Sequence, residues 1–480
     1  MRAARPGTVW TRTPPTPEER AAYADAEPRA FWLDGVAPRA AQPAVVGREE
    51  ADLLIVGGGF TGLWAALRAK EQDPGRDVVL VEAQRVGFGA SSRNGGFAVA
   101  SLTHGTANGA ARFAAEMPAL ERLSLENFEG LCADVDRYAI PCALQRSGEL
   151  MVATEPHQVA WLDEEAEALA ALGHDVVRLD GEAMRAEVAS PLYRGGVWDR
   201  TGAGVLDPAR LVDGLLAAAL RAGVRVFEHA AVEALRDDGS TVVASLPQGR
   251  LTARRVLLAT SATTPLLAAM RRRVVPVYDY VLMTEPLTTQ QRESIGWRRG
   301  QGIGDMGNRF HYTRMSADGR ILWGGYEAVY RYGGPVRADL DEDEAVFAAL
   351  SHNFFTTFPQ LRGVRFTHRW GGAIDTCSRF SVFFGRALGG KAAWAVGYTG
   401  LGVAASRFGG RTALDLLDGT ETEATRLRYV RDQPLPFPPE PLRWAAVQLT
   451  RNRLAAADDA AGRRGAWLRT LDRLGLGFDS

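Results

Sequence analysis

Residues 51–83 read ADLLIVGGGFTGLWAALRAKEQDPGRDVVLVEA, and the order of their parts decides the fold. ADLLIV is a short apolar run, GGGFTG a glycine turn, LWAALRAKEQ a helix with Leu63, Ala66, Leu67 and Lys70 at three-to-four spacing, and DVVLVEA a second strand. This is a β-α-β unit. Gly57, Gly59 and Gly62 form GxGxxG directly after the first strand, with Phe60 and Thr61 inside the turn, and Glu82 ends the second strand 25 residues after Gly57. Gly57 permits the tight turn, Gly59 lets the backbone approach a pyrophosphate, and Gly62 allows close packing of helix on strand. The helix N-terminus offers unpaired N–H groups and a partial positive charge to phosphates. Glu82 is placed to accept hydrogen bonds from adenosine ribose hydroxyls. It would repel a 2′-phosphate, which argues against NADP.

Outward from this unit, 480 residues predict two or three domains. A formal net charge of -1, with 46% hydrophobic and 24% charged residues, gives no basic surplus for nucleic acid. The three cysteines, Cys132, Cys142 and Cys377, lack a close CxxC pair, so neither a disulfide framework nor a thiolate metal cage is expected. A reducing, cytoplasmic setting follows. Lys70 and Lys391 are the only lysines, which leaves two candidates for Schiff-base chemistry. The start MRAARPGTVWTRTPPTPEER meets prolines and acids before any apolar core, unlike a secretory signal. The nearest apolar run, Leu53 to Leu67, is broken by glycines, so no membrane span is expected. No histidine spacing suggests a metal site.

The remaining pattern predicts an α/β chain that interleaves two domains. Residues 1–50 form a mostly irregular arm, followed by a first dinucleotide-binding part at 51–145 and a strand-rich insertion at 146–201. A second dinucleotide-binding part covers 202–274, including the helix DPARLVDGLLAAALRAG with Asp207 at its N-cap. A second insertion spans 275–368, a third dinucleotide-binding part 369–430, and a proline-rich connector with a C-terminal helix 431–480. Gly302, Gly304 and Gly307 repeat the glycine pattern without an apolar strand before it or a helix after it, which reads as a loop.

GFGASSRNGGF, from Gly87 to Phe97, separates a flavoprotein from a nicotinamide dehydrogenase, because small residues let backbone lie against a flat isoalloxazine. With this loop in view, the chain resembles the D-amino-acid oxidase-like superfamily of FAD-dependent oxidoreductases. It most resembles the branch with gamma-glutamylputrescine oxidoreductase and aminophosphonate oxidoreductases. GASSRNGGF (89–97), LDPARLVDGLLAAALRAGVRVFE (206–228), VLLATSA (256–262), RWGGAIDTCSRFSVFFGR (369–386) and GYTGLGVAASRFGGRTA (397–413) carry the likeness. The resemblance implies a Rossmann-like FAD domain interleaved with a substrate domain built on an antiparallel sheet.

It also implies that Gly89, Ala90, Ser91, Ser92, Arg93, Asn94, Gly95 and Gly96 line the flavin and pyrophosphate. Val232, on the strand after the helix of residues 208–222, would bond adenine through its backbone, with Ala259 and Thr260 beside the cofactor. Gly400, Leu401, Gly402 and Val403 would bring a helix N-terminus to the flavin pyrimidine edge, where reduction leaves negative charge. The FAD is expected to be non-covalent, because Cys377 is displaced from the attachment position of covalent relatives.

The implied reaction is hydride transfer from an amine Cα to flavin N5, hydrolysis of the imine, and reoxidation by O2 or another acceptor. Such chemistry depends on positioning more than on acids and bases. Candidate substrate residues are Tyr278, Tyr280, His311, Tyr312, Arg314, Tyr326 and Trp370, with Arg314 the anchor for a carboxylate or phosphonate. Strand alternation places His311 and Arg314 on opposite faces, so at most one of them meets substrate. Relatives commonly carry a substrate-carboxylate arginine where this chain reads GGAIDT, and Asp375 there either meets a cationic amine or caps a turn. A NAD-dependent Rossmann dehydrogenase and a flavin-binding protein without turnover are the alternative readings. The oligomeric state is not legible.

Overall fold

In the computed structural model, which describes residues 7–263 and 265–477, ADLLIV ends a strand spanning Gly47–Val56. It pairs in parallel with Val78–Val81 on one side and with Gly249–Leu258 on the other. Arg225–Phe227 and Ala392–Val396 extend the parallel sheet outward from those two strands. Leu53 and Ile55 face one apolar core while Leu54 and Val56 face another. Burial on both faces explains why these strands read as unbroken apolar runs. The helices Phe60–Gln72, Pro208–Arg221 and Gly402–Asp418 supply the first core through residues such as Leu63, Leu211 and Leu414. Asp207 caps the second helix by accepting from Arg210 N at 3.0 Å, as the N-cap reading predicts.

A nine-stranded mixed sheet forms the other half, in the order Glu27–Pro28, Phe366–Thr376, Val275–Thr284, Ile321–Gly325, His311–Met315, Gly302–Asp305, Glu149–Ala153, Gly195–Asp199, Val176–Leu179. Its central pairings are antiparallel. Helix Glu344–Thr357 covers one face, packing Phe347, Leu350 and Phe354 against Tyr280, Leu282 and Trp323.

Several expectations shift. The N-terminal arm is irregular for most of its length but not idle: Trp10, Tyr23 and Trp32 are buried, and Glu27–Pro28 adds an edge strand to the larger sheet. Its first six residues lie outside the described residues. Phe366–Thr376 is one strand paired along Val275–Thr284, so the chain leaves this sheet after residue 376 rather than at 368. Gly302–Asp305 is a strand, not a loop. Its alternation is hidden because a Cβ on Gly302 would collide with the Phe97 ring, leaving no room for an apolar side chain. Val232 lies between strands Arg225–Phe227 and Ala234–Asp238, not on a strand. The C-terminal segment forms two helices, Leu442–Asp459 and Ala466–Arg473. No helix among the described residues is long and apolar enough to cross a membrane.

Candidate active site

The glycine turn works as its spacing predicts. Gly57 has φ +110°, and a Cβ there would run into the Ala259 carbonyl; a Cβ on Gly62 would run into the carbonyl of Gly57. Strand, turn and helix therefore close only on glycine. At the turn's open side, Ser91 Oγ accepts from Phe60 N at 2.9 Å, which joins loop 89–96 to the helix N-terminus. Glu82 accepts from Gly58 N at 2.8 Å and Gln84 N at 3.0 Å. Burial raises its carboxyl pKa against the pull of these amides. The segment after strand Arg225–Phe227 runs beside it, Ala230 N donating to Glu82 O at 2.9 Å, and this brings Val232 to the same end of the sheet.

Sequence reasoning missed what holds this end in place. Glu228 is fully buried and ion-pairs with Arg39 and Arg85, while its carboxylate accepts from Gln42 N at 2.8 Å and Val86 N at 2.7 Å. Burial opposes its charge, but the Arg39 bond and the two amides outweigh that and hold its pKa at about 2. A lone glutamate in a strand sequence carries no sign of four distant partners.

Loop 89–96 is fixed from both sides by indoles. Trp32 of the arm donates to Asn94 O at 2.9 Å, and Trp370 of the larger sheet donates to Arg93 O at 2.8 Å. Asn94 closes the loop on itself, donating to Ala90 O and Ser91 O and accepting from Gly96 N. Arg93 pairs with Asp341. Such cross-bracing lets a glycine-rich segment present a set shape.

These elements border one cavity of about 940 Å³ between the two sheets. Gly59, Phe60, Thr61 and Ala259 contribute from the turn, and Ala90, Ser91, Arg93, Asn94 and Gly95 from the loop. Gly400, Leu401, Gly402 and Val403 come from the start of helix Gly402–Asp418, whose first turn has no side-chain cap. Of the other expected cofactor residues, Gly57, Gly62, Ser92 and Gly96 lie outside the cavity lining. Glu82, Gly89, Val232 and Thr260 also lie outside it.

The substrate residues divide by face. Along Val275–Thr284, Val275, Val277, Asp279 and Val281 line the cavity, whereas the Tyr280 side chain packs in the helical layer. Tyr278 borders the cavity but is 1% exposed, and its hydroxyl is taken up by Arg337 N at 3.1 Å and Pro335 O at 3.3 Å. Neither His311 nor Arg314 reaches the cavity. His311 is stacked between Trp323 and Tyr326, with Nδ1 bonded to Asp305 and Nε2 to Asn353. Arg314 lies over Trp32, and its guanidinium donates to the carbonyls of Gly96 and Leu206. Burial lowers its pKa to about 10. Its Nη1 holds two backbone carbonyls in the interior and the side chain stands outside the cavity lining, so this arginine is not placed to meet a substrate. The residue between them faces inward: Tyr312 lines the cavity and donates to Asp279 Oδ2 at 2.6 Å. Tyr326 and Trp370 also line it.

Asp375 is buried and accepts from Gly397 N at 2.6 Å; burial pushes its carboxyl up to about 7 against that bond. It caps the turn leading to Gly400 and also lines the cavity, so the structure is compatible with both of its readings. His104 and Tyr398 are cavity residues to which sequence patterns assign no role, although Tyr398 lies within the stretch 397–413. Tyr398 meets Thr61 at 2.8 Å, joining the third stretch to the first. Among the described residues no group of three or more His, Cys, Asp or Glu is placed to hold a metal.

The residues present fit an FAD. A Cβ on Gly59 would stand 2.8 Å from Ser91 Oγ and one on Gly95 2.7 Å from the Tyr312 ring, so both glycines keep the cradle open. Two helix N-termini and an acidic strand end meet the needs of diphosphate, reduced ring and ribose.

A family model described as "DAO: FAD dependent oxidoreductase" matches residues 52–416. Gamma-glutamylputrescine oxidoreductase of Escherichia coli (strain K12) is 34% identical over 398 residues, spanning 81% of this chain and 88% of that protein. Probable oxidoreductase OrdL of Haemophilus influenzae is 27% identical over 400 residues, spanning 82% and 89%. Among solved structures, NikD, an unusual amino acid oxidase essential for nikkomycin biosynthesis, matches with a TM-score of 0.65 at 18% identity over 82% of this chain and 99% of its own. Glycine oxidase from Geobacillus kaustophilus matches with a TM-score of 0.63 at 21% identity over 78% and 96%. These structures share the fold.

Proposed function

Because this chain belongs to the DAO family of FAD-dependent oxidoreductases, we propose that it oxidises the C–N bond of a small amine or amino-acid-like substrate. The amine loses two electrons and two hydrogens to become an imine, and water hydrolyses the imine to a carbonyl compound and ammonia or a smaller amine. Bound FAD supplies the acceptor for the hydride from the amine carbon, with O2 as the acceptor that closes the cycle. The similarity to gamma-glutamylputrescine oxidoreductase over most of both chains supports an amine substrate.

The observation that carries the reading is the meeting of Gly59, Ala90 and Gly402, from three distant stretches, on one cavity that Tyr312, Tyr326 and Trp370 also line. Each part has a task. Trp370 and Trp32 hold the loop on which the flavin ring would lie. The aromatic wall excludes water and confines a small substrate. Asp279, pushed up to about 6 by burial, holds the Tyr312 hydroxyl and gives the wall a negative group able to orient an amine. Cys132, Cys142 and Cys377 are buried and line none of the cavity, which supports non-covalent attachment.

The test is anaerobic mixing of the FAD-loaded protein with polyamines, N-methyl amino acids, amino acids and aminophosphonates. The flavin absorption band should bleach with at least one of them. A holoprotein that dithionite bleaches and no amine does would contradict the proposal.

A further inference from the structure

Part of the cavity wall comes from neither sheet. Helix Leu442–Asp459 presents Arg443, Ala446, Val447, Thr450, Arg451 and Leu454 to it, a stripe at the three-and-four spacing of one helical face. The helix is fastened near both ends. Glu440 accepts from Tyr330 Oη at 2.6 Å, and Asp458 accepts from Asn308 N at 3.0 Å and Arg309 N at 3.1 Å. The second C-terminal helix buttresses the stripe, Trp467 Nε1 donating to Thr450 Oγ1 at 3.0 Å. This cap is a built wall of the site.

Four arginines line the cavity, and three are engaged. Arg93 pairs with Asp341, Arg309 with Glu327 and Asp458, and Arg443 donates to Pro438 O. Arg451 is half-buried and has no hydrogen-bond or ion-pair partner among the described residues. A guanidinium stays charged at any ordinary pH, and this one borders a largely apolar cavity without an ion-pair partner. Its planar fork matches an oxyanion held by two parallel hydrogen bonds.

We propose that Arg451 is the specificity residue of the cap and binds a carboxylate or phosphonate at the end of the substrate remote from the oxidised C–N bond. The inference rests on the reading of this cavity as an amine-oxidation site, and it moves the anion anchor from Arg314, which is buried elsewhere, to a helix whose docking no motif reveals.

The test titrates glutarate and propylphosphonate into the FAD-loaded protein and reads the perturbation of the flavin spectrum, with no turnover required. Arg451→Met should weaken both anions about tenfold or more, and Arg451→Lys should restore part of the affinity as a point charge without the fork. The two anions report separately on carboxylate and phosphonate. In turnover, Arg451→Met should raise KM for an amine bearing the anion and leave kcat and the KM of the matching uncharged amine within about twofold. Equal affinity in wild type and Arg451→Met, or no anion binding to wild type, overturns the inference. Anion binding that depends on Arg451 while no amine bleaches the flavin supports the subsite and defeats the amine-oxidation reading instead.

Discussion

Tyr312 and Asp279 meet across neighbouring regions of the larger sheet, the tyrosine hydroxyl donating to the aspartate at 2.6 Å on the face that lines the cavity. Burial raises the Asp279 carboxyl to about 6, opposed by the Tyr312 bond and the Tyr280 amide. A carboxyl whose folded pKa is raised lends stability below its unfolded pKa and loses it as pH rises through about 6. Asp279→Asn removes the desolvated charge, so the variant apoprotein should gain thermal stability relative to wild type at pH 8 compared with pH 5. Tyr312→Phe should slow amine-driven flavin reduction about tenfold to a hundredfold, the range for losing a hydrogen bond to a charged group. Stopped-flow absorbance reads this directly.

Arg314 supports the flavin loop from behind by holding the carbonyls of Gly96 and Leu206. Arg314→Met removes the donor to the Leu206 carbonyl and one of two donors to the Gly96 carbonyl, which keeps the Leu206 amide, at a cost of about 1–3 kcal/mol in stability. Denaturant unfolding should show that loss together with weaker FAD binding. Substrate KM in the FAD-saturated variant should change no more for anionic amines than for neutral ones.

Gly57 cannot accept a side chain without displacing the Ala259 carbonyl, and its φ of +110° adds backbone strain. Gly57→Ala should weaken FAD binding to the apoprotein about a hundredfold or prevent folding, since both the turn and the strand beside it must move. Fluorescence titration with FAD measures the first outcome and circular dichroism the second.

Glu228 carries a depressed pKa of about 2, so its contribution to stability is full above the unfolded value near 4.5 and is lost as pH falls through about 2. Glu228→Gln removes the charge facing Arg39 and Arg85. The variant should lose about 2 kcal/mol at neutral pH, a figure reduced because both guanidiniums are partly exposed. Its stability should then change less than that of wild type on acidification from pH 5 to pH 3, followed by urea unfolding at each pH.

The cofactor half was legible because its chemistry is local. A turn that needs glycine, a helix N-terminus and an acidic strand end all lie within about thirty residues, and GASSRNGG carries its own bracing in Asn94. The substrate half was less legible. Alternation says that His311 and Arg314 oppose each other, but not that Tyr312 between them faces the cavity, because the sheet has a helix on one side and the cavity on the other. Gly371 and Gly372 sit within a strand rather than at its end, a Cβ on Gly371 standing 2.7 Å from the Tyr280 ring. The cap helix does not show its buried stripe in sequence: of the apolar residues Trp444, Val447 and Leu449, the first and last are exposed and Val447 alone lines the cavity. What the stripe covers depends on contacts more than a hundred residues away, such as Asp458 with Arg309.

The central claim is that three distant stretches form one flavin site, and amide hydrogen exchange with and without FAD tests it most directly. Exchange should slow on adding FAD within residues 59–62, 90–96 and 400–403 together. Slowing confined to 59–62, as a dinucleotide held only by the first turn would produce, would contradict the account.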